Sequence, residues 1–144
     1  EDVILALRQA QVYGVGTKAN STLCGPSLSA FECSYGVHFD ISNPNGFTIF
    51  VDTDGDKVYS VSFDAVVQRV TWGNTISITS IMCGATPCFA NMNVTFRRPT
   101  PDAFITDAGG VLNRVNDGTI KITDSNSGKQ STIFLTNAGQ ISVQ

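Results

Sequence analysis

Two hydrophobic periods divide the chain. Near the start, Val3, Leu7, Ala10 and Gly14 fall on one line at steps of four and three, with Ile4 beside them. That spacing places an apolar stripe along one face of a helix. Asp2 stands where an N-cap is favoured, and Gly14 with Gly16 marks the expected stop, which predicts a helix over about 2–16. From Tyr35 onward the period shortens to two. Tyr35, Val37, Phe39 and Ile41 alternate with Gly36, His38 and Asp40, the signature of a strand with one buried face.

Further strands follow in the same rhythm. Asn43-Pro44-Asn45-Gly46 is a turn, and Phe47, Ile49 and Val51 continue beyond it. Asp52 to Asp56 predicts a tight acidic turn, from which Tyr59, Val61 and Phe63 return as the third strand of a meander. Val66 to Trp72, Ile76 to Ser80 and Met92 to Phe96 read as strands, the last stopped by Arg97-Arg98-Pro99-Thr100-Pro101. Residues 17–34 and 99–118 read as surface excursions, and Thr119 to Thr123, Ser131 to Leu135 and Ile141 to Val143 close the chain with strands. One helix and about eight or nine short antiparallel strands predict an α+β fold, with the helix packed on a two-sheet body. The 144 residues, without a linker or tandem repeat, are expected to form a single domain, with the β-rich body over about 35–144.

Composition adds a compartment. Only 15% of the residues are charged, while Ser, Thr, Asn and Gly abound, which suits a β-rich extracytoplasmic protein. The net charge of −3 argues against a general nucleic-acid binder. No segment reaches the length of a membrane span, so the chain as given reads as soluble. The four cysteines form two close pairs, each bracketing a Pro-containing turn. Local pairing, Cys24–Cys33 and Cys83–Cys88, is the simplest of the three connectivities that four cysteines allow. Zinc is the rival ligand set, but neither pair has two-residue spacing and His38 is the sole histidine.

Several segments carry residues suited to chemistry. Phe50-Val51-Asp52-Thr53-Asp54-Gly55-Asp56 runs apolar residues into Asp-x-Asp-Gly, as in phosphatases that use the first Asp as a nucleophile. More strands follow it, however, and no helices exist for a parallel sheet. Asp52, Asp54 and Asp56 match positions 1, 3 and 5 of a calcium loop, yet Phe63 stands where the twelfth-position Glu belongs. An acidic hairpin tip turned by Asp54-Gly55 is the expectation, with calcium as the alternative and no other cofactor. His38 is expected to be a solvated strand residue. No Gly-x-Ser-x-Gly elbow occurs, and Ser125-Asn126-Ser127-Gly128-Lys129 lacks the upstream glycine of a phosphate loop, so no catalytic residue is assigned.

The succession of pieces carries a resemblance. Leu7-Arg8-Gln9-Ala10-Gln11, Tyr35-Gly36-Val37, Phe47-Thr48-Ile49-Phe50-Val51-Asp52, Asn93-Val94-Thr95-Phe96-Arg97 and Leu135-Thr136-Asn137-Ala138-Gly139-Gln140-Ile141 occur in that order. That order resembles the GspH/FimT group of minor pseudopilins and minor type IV pilins. The resemblance implies a pilin-like headpiece beginning partway down a longer helix, whose apolar half would anchor the subunit in the inner membrane. It implies a non-enzymatic subunit on the periplasmic or extracellular side, with other pilin subunits as partners. The assembly helix would then carry Val3, Ile4, Leu7 and Ala10. Some members bind DNA through basic residues near the C-terminus. Here the tail from Gln130 to Gln144 has no Lys or Arg, leaving Arg97 and Arg98, with Arg114, Lys121 and Lys129, as the basic candidates. A DNA-uptake pilin and a free extracellular recognition module stand as the competing readings.

Overall fold

A computed structural model of the chain describes residues 2–15, 33–96, 102–110 and 114–144. Helix α1 (Asp2–Val15) leads into β1 (Ser34–Asp40), β2 (Gly46–Asp52) and β3 (Ala65–Thr71). Next come β4 (Ile76–Cys83), β5 (Thr86–Pro87), β6 (Asn91–Phe96) and β7 (Ala103–Thr106). The chain closes with β8 (Asp117–Asp124), β9 (Gln130–Thr136) and β10 (Ile141–Val143). The strands form two five-stranded antiparallel sheets, ordered β3-β2-β1-β6-β7 and β10-β9-β8-β4-β5.

The expectation of an α+β, pilin-like class is corrected here. The described residues are mostly β, with 51% of them in strands and one short helix. The reason lies in how little the helix covers. Its 14 residues make no layer of their own. They lie against β1, β2 and β6 of the first sheet and against β10 of the second, in the angle between them. Val3, Ala6, Leu7 and Ala10 are buried there. They join one core with Tyr35, Val37, Phe39, Val94 and Phe96 of the first sheet and Ile78, Ile120, Ile133 and Leu135 of the second. Arg8 and Gln11 fasten the other flank, donating from Nη2 to the Ile141 carbonyl at 3.3 Å and from Nε2 to the Gly139 carbonyl at 3.0 Å.

Two local expectations change as well. Tyr59, Val61 and Phe63 do not form a strand, and β3 is instead the Ala65–Thr71 segment, paired with β2 through Phe47↔Val70 and Thr48↔Arg69. Alternation alone cannot tell a strand from a loop in which one residue packs inward and the others are exposed. Within the supposed excursion 99–118, Ala103–Thr106 is an edge strand on β6, because Ala103 and Ile105 have a core face to fill. The helix ends at Val15, within a residue of the stop that Gly14 and Gly16 predict, but Gly14 has a second role. It lies inside α1, where an added Cβ would stand 2.4 Å from the Phe96 carbonyl oxygen. Glycine is required there because the helix backbone rests directly on β6.

Gly14→Ala therefore separates two effects of opposite sign. Helix propensity alone would stabilise the protein by about 1 kcal/mol, whereas the clash with strand backbone should cost about 1–3 kcal/mol. A lower melting temperature is expected in thermal unfolding. A rise would mean that the helix does not sit against Phe96.

Candidate functional site

The acidic stretch after β2 is not a hairpin tip, because no strand returns directly from it; Asp54 and Asp56 are exposed, but Asp52 is not. Asp52 is fully buried and acts as the hub of the 53–64 loop. Its Oδ1 accepts from the Gly55 amide at 2.8 Å, and its Oδ2 accepts from the Lys57 amide at 3.1 Å. The Lys57 ammonium, itself buried, pairs with the same Oδ2 at 3.3 Å and donates to the Ser34 hydroxyl. To wrap one carboxylate this tightly the backbone enters the left-handed region twice, at Gly55 (φ 80°) and Lys57 (φ 67°). Further along, Asp64 accepts from the Thr53 amide at 2.9 Å and the Ser60 amide at 2.7 Å, pinning both ends of the loop. Asp54 and Asp56 each accept from an amide two residues on. Burial pushes the Asp52 carboxyl above the usual carboxylate range, against the pull of Lys57.

Asp52, Asp54 and Asp56 do converge, and Asp64 joins them, with ligand atoms all within 4.8 Å of one another. These four carboxylates are the set that could hold a divalent cation, and Asp64 was not foreseen as a member. Much of their capacity is already spent on loop amides and on Lys57. The same engagement removes Asp52 as a nucleophile, since a fully buried carboxylate accepting on both oxygens reaches no substrate.

The loop folds back over the outer face of the first sheet. Phe50, fully buried yet outside the main core, is covered by the Tyr59 ring, with centroids 5.2 Å apart. Gly36 makes room for it, because a Cβ there would stand 2.8 Å from the Phe50 ring. His38 shares this covered face, so the expectation of a solvated strand residue is corrected. Its ring lies 4.8 Å from that of Tyr59, and its Nδ1 is 2.7 Å from Asn93 Oδ1. Asn93 Oδ1 also accepts from the Tyr59 amide at 3.1 Å, while Asn93 Nδ2 donates to Asn91 Oδ1 at 3.0 Å. With Asn93 thus oriented, Nδ1 of His38 carries the hydrogen and Nε2 keeps its lone pair. Burial lowers the His38 pKa, more than Asn93 and Asp40 raise it, and the ring is neutral at pH 7.

The remaining candidates are dispersed. Cys83 and Cys88 form a disulfide across the β4–β5 hairpin, with Cα atoms 4.8 Å apart. Cys33 is buried and has no free thiol, and its expected partner Cys24 lies outside the described residues. Arg97 and Arg98 also lie outside the described residues. Arg114 stacks on the Phe104 ring at 4.1 Å beside β7, whereas Lys121 is on β8 and Lys129 follows it, in the other sheet. The three do not form one strip. On α1, Leu5, Arg8 and Val12 face outward, opposite the docked stripe. Among the described residues no helix is long and apolar enough to cross a membrane. No family model, curated protein or solved structure matches the chain.

The crowded carboxylates make a pH prediction. Burial first, then the neighbouring Asp52 and Asp54 charges, push Asp64 up to about 6 against the Ser60 and Thr53 amides. A carboxyl with a raised folded pKa binds its proton more tightly when folded, so its contribution favours the fold below the unfolded value near 3.8 and disappears as pH rises through about 6. Asp52 and Asp56, also raised, act in the same direction. The Asp64 part should be on the order of 1 kcal/mol after discounting for solvent screening. Melting curves should show Asp64→Asn flattening the decline in stability between these pH values. An unchanged slope in Asp64→Asn would exclude Asp64 as its source.

Proposed function

We propose that the chain is a non-enzymatic subunit of an extracytoplasmic filament, of the kind formed by minor pseudopilins and minor type IV pilins, and that α1 joins it to its neighbours. One observation carries this reading. A helix docked along one face normally turns polar residues to water on the other. Here that outward stripe contains Leu5 and Val12, 69% and 64% exposed. They lie seven residues apart, the repeat at which one helix seats against another. Arg8, between them, leans aside towards Gln11 and the Ile141 carbonyl, leaving the two apolar side chains to meet a partner. The succession of segments resembling that group supports the same reading. So does a disulfide suited to an oxidising compartment.

Assembly should separate from folding on this helix. Leu7, buried, belongs to the core, and Leu7→Asp should destabilise the protein by several kcal/mol, about the cost of an unpaired buried charge. The double variant Leu5→Lys/Val12→Lys should melt within about 0.5 kcal/mol of the parent, as surface changes do. In the full-length protein it should nevertheless fail to enter filaments, measured by fractionation and pulldown. Normal incorporation of the double variant would overturn the proposal.

A further inference from the structure

We propose that the outer face of the first sheet, at the end bounded by the β1–β2 turn and the 53–64 loop, is a binding site for a neutral saccharide. A cleft of about 380 Å³ opens there, within the range of roughly 300–1,000 Å³ usual for small-ligand sites. Strand register builds its floor. The pairings His38↔Thr48 and Thr48↔Arg69 set a row of polar side chains across three strands, with the buried Asn93 behind His38 on the fourth. Asn91 and Asp40, paired across β6 and β1, begin the next row. Tyr59 and Val61 of the loop form one wall, and Asn43 and Asn45 of the turn form the other.

What distinguishes the cleft is that six of its polar side chains are each held by a protein partner while a second function stays unused. His38 is fixed through Nδ1 and keeps the Nε2 lone pair. Asp40 uses Oδ1 for the Ser42 amide and hydroxyl, at 2.8 and 2.7 Å, leaving Oδ2. Asn45 donates Nδ2 to the Ile76 carbonyl at 2.9 Å, leaving Oδ1. Those three are acceptors. On the donor side, the Tyr59 hydroxyl accepts from Arg69 Nη2 at 2.9 Å, which frees its own hydrogen. Asn91 accepts on Oδ1, so its amide hydrogens remain. The guanidinium of Arg69 has further N–H groups.

Fixed donors and acceptors in similar number suit hydroxyl groups, each of which donates one hydrogen and accepts through two lone pairs. An anion would need donors alone, and a cation acceptors alone. The charge agrees: Asp40 and Arg69 oppose each other, and the imidazole is neutral. A zwitterionic dipeptide is the rival for such a pair, but it leaves the neutral imidazole, Asn45 and Asn91 unanswered. The amphipathic face of Tyr59 beside the apolar Val61 offers a surface for the C–H side of a sugar ring. The cleft lies on the face of β1 opposite the Tyr35, Val37 and Phe39 side chains that meet the core, so the inference does not rest on the filament reading.

The sole histidine gives a clean reporter. The ¹⁵N-labelled protein would be titrated with neutral hexoses, N-acetylhexosamines, 6-deoxyhexoses and their disaccharides, with glycylglutamine and inorganic phosphate alongside. At least one saccharide should shift the His38 Nε2 and Asn91 side-chain signals saturably, with a dissociation constant of about millimolar. Thr48→Tyr, which fills the floor, and Asn91→Ala should weaken it at least about tenfold. The exposed turn variant Asn43→Ala serves if either fails to fold. Silence of those signals across the saccharides in folded protein would overturn the proposal, as would saturation by glycylglutamine or phosphate instead.

Discussion

The buried Asp52–Lys57 pair is the constraint on which the outer half of this molecule depends. Removing two charges from water is costly, and the cost is offset only when geometry and additional hydrogen bonds are good. Here the carboxylate gathers two backbone amides and an ammonium, and that ammonium also reaches the Ser34 hydroxyl. The Lys57 carbonyl in turn accepts from Thr106 of β7 at 2.7 Å, which ties the loop to the far edge of the sheet. Once the loop is held there, Tyr59 lies over Phe50 and His38, and Asn93 receives the Tyr59 amide. An ion pair at the root of a loop thereby sets the tautomer of an imidazole two strands in from that edge.

How much of this was legible depends on whether the signal was local. The spacing of Val3, Leu7 and Ala10 reflects a face of a single helix, and the Asn43–Gly46 turn is written in its own residues. The fold-back of 53–64 is not. Tyr59, Val61 and Phe63 alternate as a strand would, yet Val61 and Phe63 are 78% and 68% exposed while Tyr59 packs inward. Asp64, which closes the carboxylate cluster, comes after the apparent turn and looks like a solvated residue. One clue was available: Asn93 interrupts Met92 and Val94 in a strand that is buried on both faces, and a buried amide needs partners from elsewhere. Gly14 was only half legible for a related reason, since α1 does end beside it, at Val15. Glycine after a helical stripe reads as a stop, but only the neighbouring strand reveals that it is a point of contact.

The two faces of the first sheet carry separate work. Its inner face, with the helix and the second sheet, is a continuous apolar core. Its outer face is a small polar layer around one aromatic cluster. Changes to the outward stripe of α1 and changes to the outer-face cleft are therefore separated by the sheet itself and should behave independently in stability measurements.

The order in which the strands enter the two sheets has a consequence for how the chain matures. Strands β1–β3 belong to the first sheet and β4–β5 to the second, after which β6–β7 return to the first and β8–β10 to the second. The inner edge of β1 waits for β6, and that of β4 waits for β8. A nascent chain that has reached β5 thus exposes two strand edges with no hydrogen-bonding partner yet made, at the centre of each future sheet. Contacts of such long sequence separation form slowly because loop closure precedes their reward. The half-made chain is a template for mispairing until its last strands arrive.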